Sequence, residues 1–261
     1  MFKRKILRYT GITVFLLLIC AAGFIHSKYV PPILMYHSVD PGAKPQNRLA
    51  VTPETFERQM RFLKERRYNV LPLESLASLI KEGRRIPHKT VCITFDDGYK
   101  NFYLHAFPIL KKYTLPATMF IITGEVERHD RLSWNEIKEM LDSGIISIGS
   151  HCLGPEPLVN LKSEDEVRRQ IFDSKDLLEA RLGRKINLFS HPEGLFNAKI
   201  KQLVIDAGYR AAVATNPGKK FADNDIFALK RIRISSNAAN LFIFWVESSG
   251  YYNFMREHRH K

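Results

Sequence analysis

Cysteine and acidic residues are the scarce components of this 261-residue chain. Its three cysteines are too few for a disulfide framework, although one bridge between Cys92 and Cys152 stays open. Asp and Glu number 27 against 40 Lys and Arg. The chain also lacks internal repeats, low-complexity tracts and linkers rich in Gly, Ser or Pro. We therefore expect a single large domain, residues 29–261, after the first 28 residues.

The excess of positive charge, formally +13, narrows the choice of partners. No basic cluster is interleaved with aromatic residues at the spacing of a nucleic-acid-binding motif, so we expect no nucleic acid partner. A basic surface suits an anionic cell envelope or an anionic polymer. The other interpretation is a generally solvated basic face without a particular partner.

The first 28 residues are typical of a signal peptide or signal anchor. Residues 11–25 carry no charge, and four basic residues precede them: Lys3, Arg4, Lys5 and Arg8. Positive charge before an apolar run predicts a cytoplasmic N-terminus and an exported domain. We prefer a membrane anchor, with the domain facing the periplasm or cell exterior. The domain is secreted instead if the small residues 21–23 are a cleavage site.

Short apolar runs alternate with helical patterns through the rest of the chain. The runs predict strands at residues 33–36, 69–71, 91–95, 117–122, 145–148, 186–189, 211–214 and 229–232. Helix starts lie between them, at Thr52 before a proline and at Ser133 and Ser163, each three residues before a glutamate. This alternation predicts an α/β fold whose seven or eight parallel strands close into a barrel.

Two adjacent carboxylates follow one of these apolar strands. Asp96 and Asp97 stand between Phe95 and Gly98. At the carboxyl end of a barrel strand, the pair would lie where such folds build active sites. One carboxylate can then bind a metal ion while its neighbour accepts or donates a proton. The alternative is that Asp-Asp-Gly only turns the chain and caps the next helix.

Six segments carry a resemblance to a known family. They are Leu-Met-Tyr-His-Ser-Val at 34–39, Thr-Phe-Asp-Asp-Gly at 94–98, Pro-Ala-Thr-Met-Phe-Ile at 116–121, Ile-Gly-Ser-His at 148–151, Pro-Glu-Gly-Leu-Phe-Asn at 192–197 and Leu-Lys-Arg-Ile-Arg at 229–233. In this order they resemble the polysaccharide deacetylases with a NodB homology domain, carbohydrate esterase family 4. The early Met-Tyr-His is most similar to the branch that deacetylates poly-N-acetylglucosamine. The resemblance implies an irregular NodB-like (β/α) barrel.

The resemblance also implies roles for individual residues. Asp96 corresponds to the general base, and Asp97 and His151 correspond to ligands of a divalent metal ion, for which zinc is the expectation. His37 corresponds to the acid that protonates the leaving amine. The implied activity is a metal-dependent hydrolase that removes N-acetyl groups from N-acetylglucosamine-type residues of an envelope or exported polysaccharide. An acetylated polysaccharide is thus the expected partner.

The second metal histidine of the family has no counterpart in this chain. The family motif is His-Ser/Thr-x-x-His, whereas residues 151–155 read His-Cys-Leu-Gly-Pro. Pro155 offers no ligand, and three replacements are open: the Glu156 carboxylate, the Cys152 sulfur, or a water in a weaker site. We prefer Glu156, because carboxylate oxygen is an acceptable ligand for zinc and for harder divalent ions.

Three residues after a predicted strand complete the expected site. His191, Pro192 and Glu193 would line the substrate cleft. His191 could touch substrate or the metal, but we prefer a place in the groove wall. Two other functions stay open beside N-deacetylation. One is a catalytically impaired, glycan-binding deacetylase homologue, favoured by Pro155. The other is an O-acetyl esterase, which would need no strong acid because an alkoxide leaves more readily than an unprotonated amine.

Overall fold

The computed structural model describes residues 19–20, 23–24, 26–44, 46–215 and 222–258. Most of the expected leader, residues 1–28, lies outside these ranges, as does the end of the chain's basic C-terminal tail, residues 256–261. Within the described ranges, no helix has the length and apolarity needed to cross a membrane.

A closed ring of seven parallel strands forms the centre of the fold. The strands of the described residues are β1 (Ile33–Tyr36), β2 (Ser38–Val39), β3 (Ala50–Val51), β4 (Asn69–Val70), β5 (Thr90–Phe95), β6 (Ala117–Ile121), β7 (Ile146–Ser150), β8 (Leu188–Ser190), β9 (Ala211–Ala214) and β10 (Leu229–Arg233). The ring order is β1–β10–β9–β8–β7–β6–β5, and β1 also pairs with β5, which closes the ring. The predicted (β/α) barrel is confirmed.

Helices cover the outside of the ring, and their ends follow the sequence signals. They are α1 (Pro53–Glu65), α2 (Leu73–Lys81), α3 (Phe107–Tyr113), α4 (Trp134–Asp142), α5 (Glu164–Leu182), α6 (Ala198–Asp206), α7 (Leu241–Glu247) and α8 (Tyr252–His258). The side chains of Thr52, Ser133 and Ser163 accept backbone N–H groups at the starts of α1, α4 and α5, as predicted. A turn of π-helix, Phe102–Ala106, precedes α3.

Alternate residues of each ring strand face inward, where they form an apolar cluster of their own. This cluster contains Ile33, Cys92, Phe120, Leu188, Val213 and Leu229, and α2 packs against it with Leu73, Leu76 and Ala77. Gly149 of β7 leaves room for the Phe120 ring, which a Cβ there would meet at 2.5 Å. Cys92 and Cys152 are buried free thiols, so the structure shows no bridge between them.

The last two helices, α7 and α8, pack on the outside of the ring near β4 and α1. The apolar run at residues 241–245 lies in α7, whose Phe244 is buried against Phe62 of α1 with ring centroids 5.8 Å apart. Glu247 ends α7 and is buried, and its Oε2 has no hydrogen-bond partner among the described residues. Burial raises the pKa of Glu247 to about 7, although the charge of Arg256 acts in the opposite direction.

The raised pKa of Glu247 makes the stability of the fold depend on pH. The folded protein holds this proton up to about pH 7, whereas an unfolded glutamate releases it near pH 4.3. Stability must therefore fall as pH rises through this window. Between pH 5 and pH 8 we expect the wild type to lose about 2–3 kcal/mol of unfolding free energy relative to Glu247→Gln.

Urea unfolding at the two pH values measures this difference. Glu65→Gln is the matched control, because the Glu65 side chain is 70% exposed and should leave the pH dependence of the wild type unchanged. The assignment fails if wild type and Glu247→Gln show the same change in unfolding free energy between pH 5 and pH 8.

Candidate active site

A cavity of about 490 Å³ opens at the carboxyl ends of the ring strands. Its lining residues are Met35, His37, Leu49, Asp96, Asp97, His151, Pro155, Glu193, Thr215 and Arg233. Many of them continue the inward-facing series of their strands at a period of two residues. On β1 the series is Ile33, Met35, His37, and on β5 it is Cys92, Thr94, Asp96. The strand alternation that fills the ring with apolar side chains thus also places the polar groups in the cavity.

Asp96 is held by a buried, bidentate ion pair with Arg231 of β10. The two guanidinium nitrogens donate to its two carboxylate oxygens at 2.7 and 2.6 Å. Arg231 also donates to the hydroxyl of Ser190 at 2.9 Å, and its guanidinium lies 5.6 Å from the Phe120 ring centroid. Burial alone would raise the pKa of Asp96, but the adjacent Arg231 charge outweighs it and lowers the pKa to about 2. Asp96 is therefore ionised at neutral pH.

Asp97 adopts a left-handed backbone conformation that turns its side chain toward the cavity. Its φ is 72°, and the following Gly98 also has a positive φ, 69°. Asp tolerates this region better than most residues, although the conformation is strained. The backbone on both sides of this turn is anchored, since the amide of Asp96 donates to the carbonyl of Tyr36 and that of Leu132 to the carbonyl of Gly98, each at 3.0 Å.

Arg131 is a further anchor of the Asp97 turn that the sequence did not reveal. Its Nη1 donates to the backbone carbonyl of Asp97 at 3.5 Å, and its Nη2 lies 2.6 Å from Oε2 of Glu125. The guanidinium also stacks 4.1 Å above the Tyr99 ring centroid. Glu125 is buried and pairs as well with Arg128, at 3.1 Å. Glu125 and Arg131 thus position Asp97 without facing the cavity themselves.

His151 follows β7 and presents one ring nitrogen to the two carboxylates. Its Nδ1 lies 2.8 Å from the backbone carbonyl of Ser190, which assigns the proton to Nδ1 and leaves Nε2 with a free lone pair. Nε2 lies 3.6 Å from Oδ1 of Asp97 and 3.9 Å from Oδ2 of Asp96. A carbonyl that fixes the tautomer in this way is the usual support of a metal-binding histidine.

His37 lines the same cavity from the end of β1. Its Nδ1 is buried and has no hydrogen-bond partner among the described residues. Burial is the main cause that lowers the pKa of His37, whereas the negative charges of Asp96 and Asp97 act in the opposite direction. The structure therefore brings together the four residues that the sequence assigned to chemistry: Asp96, Asp97, His151 and His37.

The structure does not bring Glu156 to this group, which corrects the preferred choice of a third ligand. Glu156 is exposed, is absent from the cavity lining and accepts a hydrogen bond from Asn160 at 3.0 Å. The thiol of Cys152 is buried, and burial raises its pKa. Pro155 is the residue of this loop that lines the cavity. Among the described residues, no cluster of three or more His, Cys, Asp or Glu is arranged to hold a metal ion.

The residues present therefore supply only part of the ligands that a divalent metal ion needs. Nε2 of His151 and Oδ1 of Asp97 converge, and the hydrogen bond to Ser190 orients the imidazole as a ligand requires. A catalytic zinc normally has three protein ligands. With two, the metal would be held more weakly and would complete its shell with water.

The three residues expected to bind substrate have different environments. The imidazole of His191 is fully buried, stacks on Phe196 at 4.2 Å, and has its Nε2 3.2 Å from the carbonyl of Phe227. Burial lowers its pKa to about 3. His191 thus forms part of the wall, as the preferred interpretation had it, and is not placed to contact substrate. Pro192 is buried too, whereas Glu193 lines the cavity with a φ of 53°.

Gly194 fixes the backbone next to Glu193. Its φ is 73°, and a Cβ at this position would meet the backbone nitrogen of Thr215 at 2.4 Å. A side chain there would push the turn away from β9 and displace Glu193 from the cavity. Glu193 is therefore the member of the three that can contact substrate.

Comparison with known proteins gives the same family from sequence and from structure. The family model for polysaccharide deacetylases matches residues 83–212. The Bacillus subtilis protein YxkH is 33% identical over 218 residues, which are 83% of this chain and 76% of that protein. The poly-β-1,6-N-acetyl-D-glucosamine N-deacetylase of Staphylococcus aureus strain MSSA476 is 29% identical over 204 residues, 72% of this chain and 69% of that enzyme.

Solved structures superpose over most of the described barrel. The Streptococcus pyogenes deacetylase PplD, in complex with acetate, gives a TM-score of 0.74 at 31% identity, covering 82% of this chain and 97% of PplD. IcaB from Ammonifex degensii gives the same TM-score at 24% identity, covering 84% and 97%, a likeness that shows the fold alone. The chain belongs to the polysaccharide deacetylase family, carbohydrate esterase family 4, and is a deacetylase of the hydrolase class.

Proposed function

We propose that this protein is an exported, metal-dependent N-deacetylase acting on N-acetylglucosamine-type residues of a cell-envelope polysaccharide. The convergence of Asp96, Asp97, His151 and His37 on one open cavity carries the proposal. The similarity to the S. aureus enzyme, whose name gives poly-β-1,6-N-acetyl-D-glucosamine as its substrate, supports this class of glycan. The complex of PplD with acetate is compatible with acetate as the product.

The residues divide the steps of amide hydrolysis between them. Asp96, ionised because of Arg231, takes a proton from the attacking water while the carbonyl carbon becomes tetrahedral. His37, in its protonated form, gives a proton to the nitrogen as the carbon–nitrogen bond breaks, and the proton taken up by Asp96 then restores that of His37. The products are acetate and a free amine. A divalent metal ion held by Asp97 and His151 would polarise the acetyl carbonyl and lower the pKa of a bound water.

Glu193 and Arg233 give the rest of the cavity its charge. Glu193 lies on the turn fixed by Gly194, and Arg233 continues the inward series of β10 at the rim. Both can hydrogen-bond to sugar hydroxyls at positions away from the reacting acetyl group.

A glycan-binding protein without catalysis is the second candidate, and Pro155 is the observation that favours it. Where the family has a metal histidine, this chain has a residue with no donor atom. The two candidates differ in one measurement, which is the release of acetate from a β-1,6-linked N-acetylglucosamine oligomer with added divalent metal. Binding of the oligomer without acetate release at any metal concentration would establish the second candidate.

The role of His37 predicts a difference between amide and ester substrates. His37→Asn should lower the rate of N-acetyl hydrolysis by about 10²–10⁴-fold, because the amine cannot leave without a proton. Hydrolysis of an O-acetyl ester should fall much less, since an alkoxide is the better leaving group. Acetate release from matched N-acetyl and O-acetyl substrates measures the two rates. Equal, small effects on both would remove His37 from the mechanism and favour an esterase.

The two-residue donor set predicts the metal affinity and its response to substitution. Asp97→Ala and His151→Ala should each abolish metal binding. Pro155→His should tighten binding by about 10–100-fold, because it supplies a third donor at the cavity. Calorimetric titration with zinc measures these affinities without relying on activity. Glu156→Gln is the matched control and should leave the affinity unchanged; loss of metal in this variant would make Glu156 the third ligand.

The contact of Arg131 with the Asp97 carbonyl predicts a positioning role. Arg131→Gln should weaken metal binding and lower kcat by about 10–100-fold, the range found for residues that orient metal ligands. KM for the oligomer should stay the same, and Arg131→Lys should restore part of the loss. Arg128→Gln is the matched control, because Arg128 also pairs with Glu125 but has no contact with Asp97. Equal losses in both glutamine variants would show a general effect of unpairing Glu125.

A further inference from the structure

The barrel has a second end, opposite the cavity. Because the ring strands are parallel, their amino-terminal ends all lie at one end of the ring, which we call the floor. β5 runs from Thr90 at the floor to Phe95 beside the cavity, a length of about 17–20 Å. Whatever rests against the floor therefore leaves the cavity open.

The chain enters the barrel at the floor, and both ends of the domain are joined there. The amide of Val30 donates to the carbonyl of Gly250 at 2.9 Å. The hydroxyl of Tyr29 accepts from the amide of Thr90 at 3.0 Å, and its ring lies 4.3 Å from the His88 ring centroid. A Cβ at Gly250 would meet the Tyr29 ring at 2.2 Å, so this contact needs the glycine. The expected membrane anchor, residues 11–25, thus ends within a few residues of the floor.

Exposed aromatic side chains lie around this point of entry. Phe242 and Trp245 of α7 are 66% and 48% exposed, with their ring centroids 5.6 Å apart. Phe24 is 58% exposed and lies 6.5 Å from the Phe254 ring centroid, and Nζ of Lys28 lies 5.0 Å from the Phe24 ring centroid. Exposed aromatic residues beside basic ones are the usual composition of a protein surface at a membrane interface.

Basic residues also lie beside Trp245. Arg66, Tyr68, Lys89, Phe62 and Trp245 together line a depression of about 280 Å³ at the end of α1. The two floor turns, residues 64–68 and 81–89, contain seven Lys and Arg residues against two Glu. The two glutamates pair with arginines, Glu65 with Arg61 and Glu82 with Arg84. We call Phe24, Lys28, Arg66, Lys89, Phe242 and Trp245 the floor patch.

We propose that the floor patch rests on the anionic lipid surface of the membrane, with Trp245 and Phe242 at the level of the headgroups. Three features select a lipid surface as the occupant: the end of the apolar anchor sequence beside the patch, the exposed aromatic rings, and the surrounding positive charge. Each Lys or Arg near an anionic membrane strengthens the binding about five-fold. Docking in this orientation holds the cavity about 20 Å above the lipid, facing the envelope glycan.

The two tryptophans of the chain allow a direct test, because they lie at opposite ends of the barrel. Trp134 begins α4, two residues after Leu132, which bonds to Gly98 beside the cavity. The full-length Trp134→Phe protein keeps Trp245 as its only tryptophan, and Trp245→Phe keeps Trp134. Each is reconstituted into vesicles of phosphatidylcholine and phosphatidylglycerol with brominated acyl chains, which quench only tryptophans in contact with lipid.

We expect quenching and a blue shift for Trp245 and no quenching for Trp134. Arg66→Glu combined with Lys89→Glu should shift the docking equilibrium by at least about 30-fold and reduce the quenching, since two favourable charges are lost. Lys138→Glu combined with Arg169→Glu, on exposed positions of α4 and α5, changes the net charge equally and should have no effect. Pure phosphatidylcholine should quench Trp245 less than the anionic mixture.

Four outcomes would overturn the proposal. Trp245 emission that is insensitive to brominated lipid shows that the floor does not touch the membrane. Quenching of Trp134 in place of Trp245 shows the opposite orientation. Equal quenching by neutral and anionic vesicles removes the role of the basic residues. Protection of Trp245 from aqueous iodide without quenching by lipid shows that another protein surface, such as a second copy of this chain, covers the patch. None of these outcomes depends on deacetylase activity.

Discussion

The buried ion pair between Asp96 and Arg231 is the constraint on which the rest of the site depends. It joins β5 to β10 across β1, inside the ring, and both side chains are excluded from solvent. Removal of one partner would leave an uncompensated buried charge, at a cost of about 3–5 kcal/mol. The pair is thus a structural element and also the reason that Asp96 stays ionised. Asp97 and His151 are arranged around a negative charge fixed by the fold.

The fold was readable from the sequence because its elements repeat a strong pattern. The ring strands are apolar runs separated by helices, three of which begin at clear capping residues, and predicted and observed bounds differ mainly at strand ends, as at β8, expected at 186–189 and found at Leu188–Ser190. The two-residue strands β2 and β3 were missed, since two residues carry no periodicity. The π-helical turn before α3 was missed because its composition resembles that of an α-helix.

The sequence predicted the site residues that directly follow a strand. It did not predict Arg231, which pairs with Asp96 from a distant part of the chain. Asp96, His151 and His37 each follow a ring strand. Because these strands are parallel, their carboxyl ends lie at the same end of the ring, and the three side chains meet there. Arg231 is 135 residues from Asp96 in sequence. The signal that could have found it is alternation, because Leu229, Arg231 and Arg233 all face inward on β10. The same rule puts Ser190 inward and His191 outward, which explains why the histidine is in the wall.

Strand direction also relates the chemistry to the expected location of the protein. The inward series of β1, β5 and β10 change along the strand from apolar to polar, as Cys92, Thr94 and Asp96 show on β5. The apolar end is closed by α2 and lies beside the point where the chain enters; the polar end opens on the cavity. A barrel tethered at its floor by the segment before β1 therefore presents its reactive groups outward. The parallel ring thereby determines both which residues meet in the cavity and which way the cavity faces.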